Sequence, residues 1–263
     1  MRISSDLFKA FLKCTTKCWL LAAGEPASGN AYAEWVKSQN GSYRATEIER
    51  LLSETPKDEA AVSPPLENLK AAKWRLAANL AAHAQMNSHV LESEVHAVER
   101  VPSEGRGRTP QFIPIRFIFT NKLGEDDKLL LAFDTFVLSE MTEREISFGK
   151  IIHGDDHRAL KVKTTALSGE VRKRIERIAT LLSSPTPPDL VLNRHCSECE
   201  FQTRCRQEAI ETDDLSLLSS ISEMERKKLH SKGIFTVRQL SYTFRPRRRP
   251  KRMRDKGRSI TTR

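Results

Sequence analysis

Several features that would place this 263-residue sequence in a compartment are missing from it. No apolar run approaches the roughly 18 residues that a membrane-spanning helix needs. The start, Met1-Arg2-Ile3, lacks the long apolar centre of a secretory signal. Aromatic residues make up only 6% of the chain and charged residues 30%. We therefore expect a cytoplasmic protein with no membrane contact, in which disulfide bonds are not expected.

Familiar catalytic motifs are missing as well. The sequence has no Gly-rich phosphate-binding loop, no nucleophile motif of a Ser-His-Asp hydrolase and no His-Glu-x-x-His zinc motif. Reactions that depend on those motifs are excluded. The cysteines and the carboxylates are therefore the leading candidates for any chemistry.

Cysteine is scarce, and most of it is concentrated in one segment. Three of the five cysteines follow the spacing C-x2-C-x5-C: Cys196, Cys199 and Cys205. Zinc and iron–sulfur clusters both take four soft ligands, so three close cysteines leave one position to be filled from elsewhere. Cys14 or Cys18 can fill it and thereby join the two ends of the chain. His195 is the alternative fourth ligand for zinc, and inert buried thiols are the alternative to any metal site.

Positive charge is in excess, and its distribution is uneven. The formal net charge is +10, but residues 245–263 contain ten Lys or Arg and a single acid. Almost all of the excess therefore lies in this final segment. Such a basic block attracts phosphate, and it is equally typical of a solvated linker.

Hydrophobic periodicity predicts alternating helices and strands. Ser4-Ser5-Asp6 is typical of a helix N-cap, and Cys14 and Cys18, four residues apart, are predicted on one face of the first helix. We predict helices at 6–24, 46–52, 66–86, 126–141 and 168–182, and strands at 90–101, 112–119, 146–153 and 159–163. A further helical stretch is predicted after the turn at 27–30, with Tyr32, Trp35 and Val36 as its apolar positions. This order favours an α/β fold with one mixed sheet.

Three parts of the chain follow from these patterns. Residues 1–210 are predicted to form the main domain, 211–243 a small helical module, and 244–263 a basic tail or linker. In the module, Lys232-Gly233-Ile234 is predicted to be a tight turn between two short helices. Such a turn either presents backbone N–H groups to phosphate or only caps a helix.

Several motifs resemble those of RecB-like nucleases of the PD-(D/E)XK superfamily that carry an iron–sulfur staple. The segments concerned are Ser4-Ser5-Asp6-Leu7-Phe8 with Cys14, residues 128–134, the three-cysteine segment, and residues 233–240. Overall the likeness covers residues 3–251. It is greatest to bacterial members whose full-length chains continue into a C-terminal RNase H-like domain. The resemblance implies a restriction-endonuclease-like fold and a [4Fe–4S] cluster ligated by Cys14, Cys196, Cys199 and Cys205, with Cys18 spare.

The same resemblance implies cleavage of phosphodiesters with Mg²⁺ or Mn²⁺. The family places an acid on the first strand of a hairpin and an acid-x-Lys on the second. Here Glu99 is available on the first strand, but Arg116 and Ile118 occupy the positions of the acid and the lysine. A fixed cation cannot ligate a metal ion. A replacement site would need Glu99 and Asp134 as metal ligands, or Asp126 and Asp127, with Lys122 as the lysine.

The expected function is therefore to bind or process nucleic acid, in particular DNA, during repair or defence. The candidate contacts are Arg116, Lys232, Gly233, Arg247, Arg248 and Arg249. An absent RNase H-like domain is a further expected partner. The alternative from another class is a non-catalytic zinc- or iron–sulfur-knuckle module that binds nucleic acid or another protein.

Overall fold

A computed structural model describes residues 1–27, 29–65, 73–101 and 110–243. The chain divides into two compact units, Met1–Gln207 and Glu208 onward. Seven strands form one sheet in the first unit: β1 Arg2–Ser4, β2 Ala60–Val62, β3 Leu76–Met86, β4 His89–Val101, β5 Gln111–Ile118, β6 Phe148–His153 and β7 Arg158–Lys163. The helices are α1 Ser5–Lys13, α2 Thr15–Ala22, α3 Ala31–Glu54, α4 Glu125–Thr142, α5 Ser168–Ser183, α6 Gln202–Glu211, α7 Glu223–His230 and α8 Val237–Thr243.

The sheet is mixed. Its strands follow the order β2-β3-β4-β5-β6-β7, and β1 pairs with the beginning of β4. The β1–β4, β2–β3 and β5–β6 pairs are parallel, whereas β3–β4, β4–β5 and β6–β7 are antiparallel. Helix α4 makes the crossover between the parallel strands β5 and β6, as such connections require. The first unit therefore has a mixed α/β fold with a curled sheet flanked by helices, as the sequence predicts in outline.

Helices cover both faces of this sheet. On the first face, here called the α4 face, α1, α2, α4 and α5 bury a large apolar core in which the rings of Phe8 and Phe133 stack 4.5 Å apart. On the opposite face, the α3 face, Ile48 of α3 packs on a smaller cluster that includes Ile115 and Phe117. Removal of this apolar surface from water is the main stabilising contribution to the fold.

Strands β3 and β4 exchange faces part-way along their length. Leu80 and Val95 belong to the α4-face core, whereas Ala78 and Ala97 belong to the α3-face cluster. Residues two apart in a regular strand share a face, so the backbone has to deviate between them. Asn79 provides the deviation with φ +52°. The exchange determines which face each acid of β4 occupies.

One predicted helix is wrong. The alanines of residues 66–86 favour a helix. In the structure, residues 76–86 form strand β3, which pairs with β4, and residues 66–72 lie outside the described residues. Along β3, Ala82, Ala84 and Met86 are buried while the residues between them are exposed, a period of two. Packing within the sheet outweighs the helix propensity of alanine, so the alternation of buried and exposed residues makes this segment a strand.

Other predicted elements are confirmed with two changes of boundary. Strands β4 to β7 and helices α4 and α5 occupy the predicted positions within a few residues. The helix predicted at 6–24 is interrupted at Cys14, and the two helices predicted within 31–52 form the single helix α3. Strand β1 is not among the predicted elements.

The second unit is described from Glu208 to Thr243. Here an antiparallel bridge joins Asp214 and Thr236, and α7 and α8 are separated by a turn at Gly233. Across all the described ranges, no helix combines the length and apolar character needed to cross a membrane.

Candidate functional site

Cys14 occupies the interruption between α1 and α2. Its backbone is extended, with φ −166° and ψ 127°, although its N–H still donates to the Ala10 carbonyl. The side chain is half-buried, whereas Cys18 is completely buried in the α4-face core. Burial, followed by the negative charge of Cys14, raises the pKa of Cys18 to about 12. The two cysteines therefore do not share one face of a continuous helix as predicted.

The three-cysteine segment docks on this interruption. Asn193 Nδ2 donates to the carbonyl of Lys13, 3.2 Å away, and Lys17 Nζ lies 2.6 Å from a carboxylate oxygen of Glu200. Each contact joins residues that are about 180 positions apart in the sequence. Residues on both sides of Cys14 thus fasten the segment to the start of the chain.

Asn30 adds a second attachment. Its side-chain oxygen caps α3 by accepting from the backbone N–H groups of Tyr32 and Ala33. Its Nδ2 donates to the carbonyls of Ser197 and Cys199, both 3.1 Å away. One amide therefore fixes the start of α3 and the loop that carries the second clustered cysteine.

Two thiols of this segment, those of Cys196 and Cys199, accept backbone hydrogen bonds. The N–H of Asn193 donates to Cys196 Sγ at 3.2 Å, and Phe201 supplies a backbone hydrogen bond to Cys199 that lowers its pKa. Burial has the larger effect and raises the pKa of both thiols, and the charge of a Cys14 thiolate raises them further.

These donors suit a thiolate-held metal. Four cysteines match the ligand number of zinc and of iron–sulfur clusters, and N–H donors to sulfur are a known means of tuning such centres. Cys205 is half-buried at the first turn of α6. Within the described residues no three ligand side chains are already gathered as a metal site, so ligation would require the thiols to turn toward one another. Burial lowers the pKa of His195, and its Nε2 accepts from Arg194 Nε.

The predicted magnesium ligands lie on opposite faces of the sheet. Glu99 forms an ion pair with Lys150, which is directly opposite Ile115 on the α3 face. Asp134, on α4, pairs instead with Arg116 on the α4 face. Lys122 is exposed in the connection between β5 and α4. Because the sheet separates Glu99 from Asp134, a metal site shared by these two carboxylates is wrong for this fold.

The other acids considered for this site have different roles. Asp127 accepts from the backbone N–H of Gly124 and so caps α4, while Asp126 lies 3.3 Å from Lys13 Nζ. Both carboxylates stay at the start of α4.

Asp134 belongs to a buried hydrogen-bond network. Arg116 Nε and one terminal nitrogen each donate to it at 2.8 Å, and Ser93 Oγ donates at 2.7 Å. Ser5 Oγ lies 3.2 Å from Ser93 Oγ and extends the chain to α1. Burial raises the pKa of Asp134, against the opposing effects of Arg116 and Ser93. The planar guanidinium of Arg116 thus donates a hydrogen bond to each carboxylate oxygen of Asp134.

Arg116 is consequently not available to nucleic acid. Only 7% of the residue is exposed, and two of its donors are committed to Asp134. The predicted contact of Arg116 with nucleic acid is therefore wrong, because the guanidinium is buried and pairs with Asp134.

The turn at Gly233 uses its own backbone donors. Gly233, with φ +77°, donates to the carbonyl of His230, and the next residue donates to Leu229, closing the end of α7. Further along, Gln239 Oε1 accepts from the N–H groups of Phe235 and Thr236. These groups are not free for phosphate, so the turn caps a helix. A contact through the Lys232 side chain stays a prediction, and Arg247, Arg248 and Arg249 lie outside the described residues.

Asn30, Asn193 and Lys17 position the cysteine segment, and sequence reasoning missed all three. A signal existed for the asparagines, because asparagine is a preferred N-cap and each one begins a helical turn. The salt bridge from Lys17 to Glu200 connects distant segments and had no local signal.

Comparisons with known proteins do not assign a family. No protein-family model matches the chain, and no curated protein matches its sequence. Ten chains of solved structures match, and one of them is described as "Crystal structure of SSO0001". It shares 12% identity and covers 78% of this chain and 86% of its own, with a TM-score of 0.42. A likeness at this level carries no argument about function.

Proposed function

We propose that the protein is a RecB-like nuclease-type protein that binds nucleic acid and holds a [4Fe–4S] cluster through Cys14, Cys196, Cys199 and Cys205. The observation that carries this proposal is the docking of the three-cysteine segment beside Cys14 through Asn193 and Lys17. The cluster, when bound, supplies a covalent link between the two ends of the first unit. Cys18, buried in the core, takes no part.

The proposed role is binding without cleavage at the hairpin. On the α4 face Arg116 occupies the position of the family's acid and neutralises Asp134, while Glu99 lies on the other face with Lys150. A divalent cation would meet a guanidinium where it needs carboxylate oxygens. The basic segment at 245–263 adds sequence-independent attraction to phosphate.

A zinc-knuckle interaction module is the alternative. Its support is that backbone N–H donors to Cys196 and Cys199 are as compatible with Zn²⁺ as with a cluster. The two proposals differ in the metal, and for zinc the fourth ligand beside the three clustered cysteines is either His195 or a cysteine of the opening helices.

Anaerobic purification followed by metal and sulfide analysis distinguishes them. A brown protein absorbing near roughly 400 nm, with iron and acid-labile sulfide, supports the cluster. A colourless protein with one zinc per chain supports the knuckle. A protein with neither metal contradicts both proposals.

Nucleic-acid binding and cleavage are tested on labelled single-stranded and duplex oligonucleotides with Mg²⁺ or Mn²⁺. We expect binding without cleavage. Metal-dependent cleavage that is abolished in Glu99→Gln would overturn the binding-only role, and absence of any binding would overturn the nucleic-acid role.

A further inference from the structure

Strands β6 and β7 carry, on the α3 face of the sheet, an aromatic ring surrounded by lysines. In the β6–β7 pair, Phe148 lies opposite Lys163, and Lys150 lies opposite Lys161. Alternation places these four side chains on the same face as Ile115, the direct neighbour of Lys150 on β5. We call Phe148, Lys150, Lys161 and Lys163 the lysine–phenylalanine face.

Helix α3 is fastened to the other end of these strands. Tyr43 donates to the carbonyl of Gly154, and buried Glu47 lies 2.5 Å from His157 Nδ1, so α3 attaches at the β6–β7 turn. At the lysine–phenylalanine face, Phe148 remains 37% exposed, and Lys161 and Lys163 are also exposed. Among the described residues, this end of the α3 face is open to a ligand.

Positive charge on this face exceeds negative charge. The carboxylate of Glu99 forms an ion pair with Lys150. Neither Lys161 nor Lys163 forms an ion pair with an acid in the described part of the chain, and Lys161 Nζ lies 4.3 Å from the centre of the Phe148 ring. Like charges directly opposite each other, such as Lys150 and Lys161, destabilise a strand pair. The ion pair of Lys150 with Glu99 and the contact of Lys161 with the Phe148 ring offset part of this repulsion, but neither contact involves Lys163.

Protection of an edge strand explains only part of this arrangement. β7 lies at the edge of the sheet, and lysines on edge strands discourage pairing with other chains. That role requires neither an exposed phenylalanine on the neighbouring strand nor three lysines on one face. A phosphate backbone that contacts the lysines while an unpaired base stacks on the ring accounts for both.

We infer that the lysine–phenylalanine face binds single-stranded nucleic acid, with phosphates at Lys161 and Lys163. A base stacks on Phe148 when Lys161 Nζ, which lies 4.3 Å from the ring centre in the free protein, turns away to a phosphate. This inference rests on the proposed nucleic-acid function and assigns it a surface. A duplex hides the faces of its bases, so the site favours unpaired strands.

The experiment measures binding of a fluorescent oligonucleotide of about 20 bases to the full chain by anisotropy, across a range of salt concentrations. Lys161→Ala/Lys163→Ala removes two phosphate contacts, so the slope of log K against log salt should fall in magnitude by about 1.4 for a single strand. Phe148→Leu keeps an apolar side chain and should weaken binding by about tenfold through lost stacking. Lys173→Ala/Arg177→Ala on α5, at the opposite face, is the matched control.

Weaker binding in both face variants, with the control unchanged, supports the inference. If the wild type binds single strands and the face variants match the control, the inference fails and the proposed function stands. If Phe148→Leu has no effect and duplex is preferred, base stacking at this face is refuted. If the wild type binds no nucleic acid, both the inference and the proposed function fail. Circular dichroism melts confirm that each variant is folded.

Discussion

Replacement of Arg116 by methionine tests how much the buried pair of Arg116 and Asp134 contributes to the stability of the fold. The substitution removes two charge-assisted hydrogen bonds at 2.8 Å from Asp134, which is 0% exposed, and leaves the hydrogen bond from Ser93 in place. Removal of one partner of a buried ion pair costs about 3–5 kcal/mol, because an uncompensated charge stays in the interior. We expect a loss of that size in the free energy of unfolding at pH 8.

The loss should depend on pH. Without Arg116, the pKa of Asp134 rises further, and uptake of a proton removes the uncompensated charge. Below that raised pKa, and as far down as the ordinary pKa of an aspartate, the folded state binds a proton that the unfolded state does not, so the cost should shrink by about 1.4 kcal/mol for each unit that the pH falls. The double variant Arg116→Met/Asp134→Leu removes both charges and should be within about 1 kcal/mol of the wild type, or more stable.

Urea denaturation followed by circular dichroism measures these differences at pH 8, 7 and 6. Arg158→Met is the matched control, because its pair with Asp156 is exposed on both sides and contributes less than about 1 kcal/mol. A buried, mutually compensating pair of Arg116 and Asp134 is refuted if Arg116→Met costs no more than Arg158→Met, or if the double variant loses as much stability as the two single variants together.

Two further substitutions test the packing and the ionisation of the first unit. Burial, followed by the charge of Arg116, holds the pKa of His96 well below its ordinary value, and its Nδ1 accepts from the N–H of Phe117. Stability from this neutral histidine is complete above about pH 6.5 and is lost as the pH falls below it, by at most 1.4 kcal/mol per unit. Urea denaturation at several pH values should therefore show a smaller dependence of stability on pH in His96→Asn than in the wild type. A Cβ on Gly149 would lie 2.9 Å from the Leu131 side chain, so thermal melts should show Gly149→Ala destabilised by about 1–3 kcal/mol. The control Gly41→Ala has open space around it in helix α3 and should gain up to about 1 kcal/mol of stability. Equal effects at the two glycines would contradict the packing of Gly149 against Leu131.

Much of the sheet could be predicted from the sequence, because local patterns specify it. Period-two alternation identifies β4 to β7, and the apolar residues on either side of Asp134 and Thr135 identify α4. The alanines of β3 mislead the prediction, since helix propensity is a weak preference when a sheet offers a partner. Asn87 lies in the two-residue connection between β3 and β4 and has φ +54°. Because asparagine is favoured at such positions of tight turns, it was the sequence signal for a hairpin there.

The candidate site was harder to predict, because it depends on which face each residue occupies. Asn79 shifts the alternation of β3 and β4, and this shift places Glu99 on the α3 face, away from Asp134. No count of strand residues could show that. The pairing of Arg116 with Asp134 joins a strand to the following helix, and only the packed fold reveals it.

The proposed function requires that the opening helices and the three-cysteine segment hold one metal centre between them. The most direct measurement is the iron content per chain of Cys14→Ser beside Cys18→Ser, both purified anaerobically. We predict about four irons in the wild type and in Cys18→Ser, as a [4Fe–4S] cluster requires, and a large loss in Cys14→Ser. Equal iron in the two variants, or no iron in the wild type, would contradict the account.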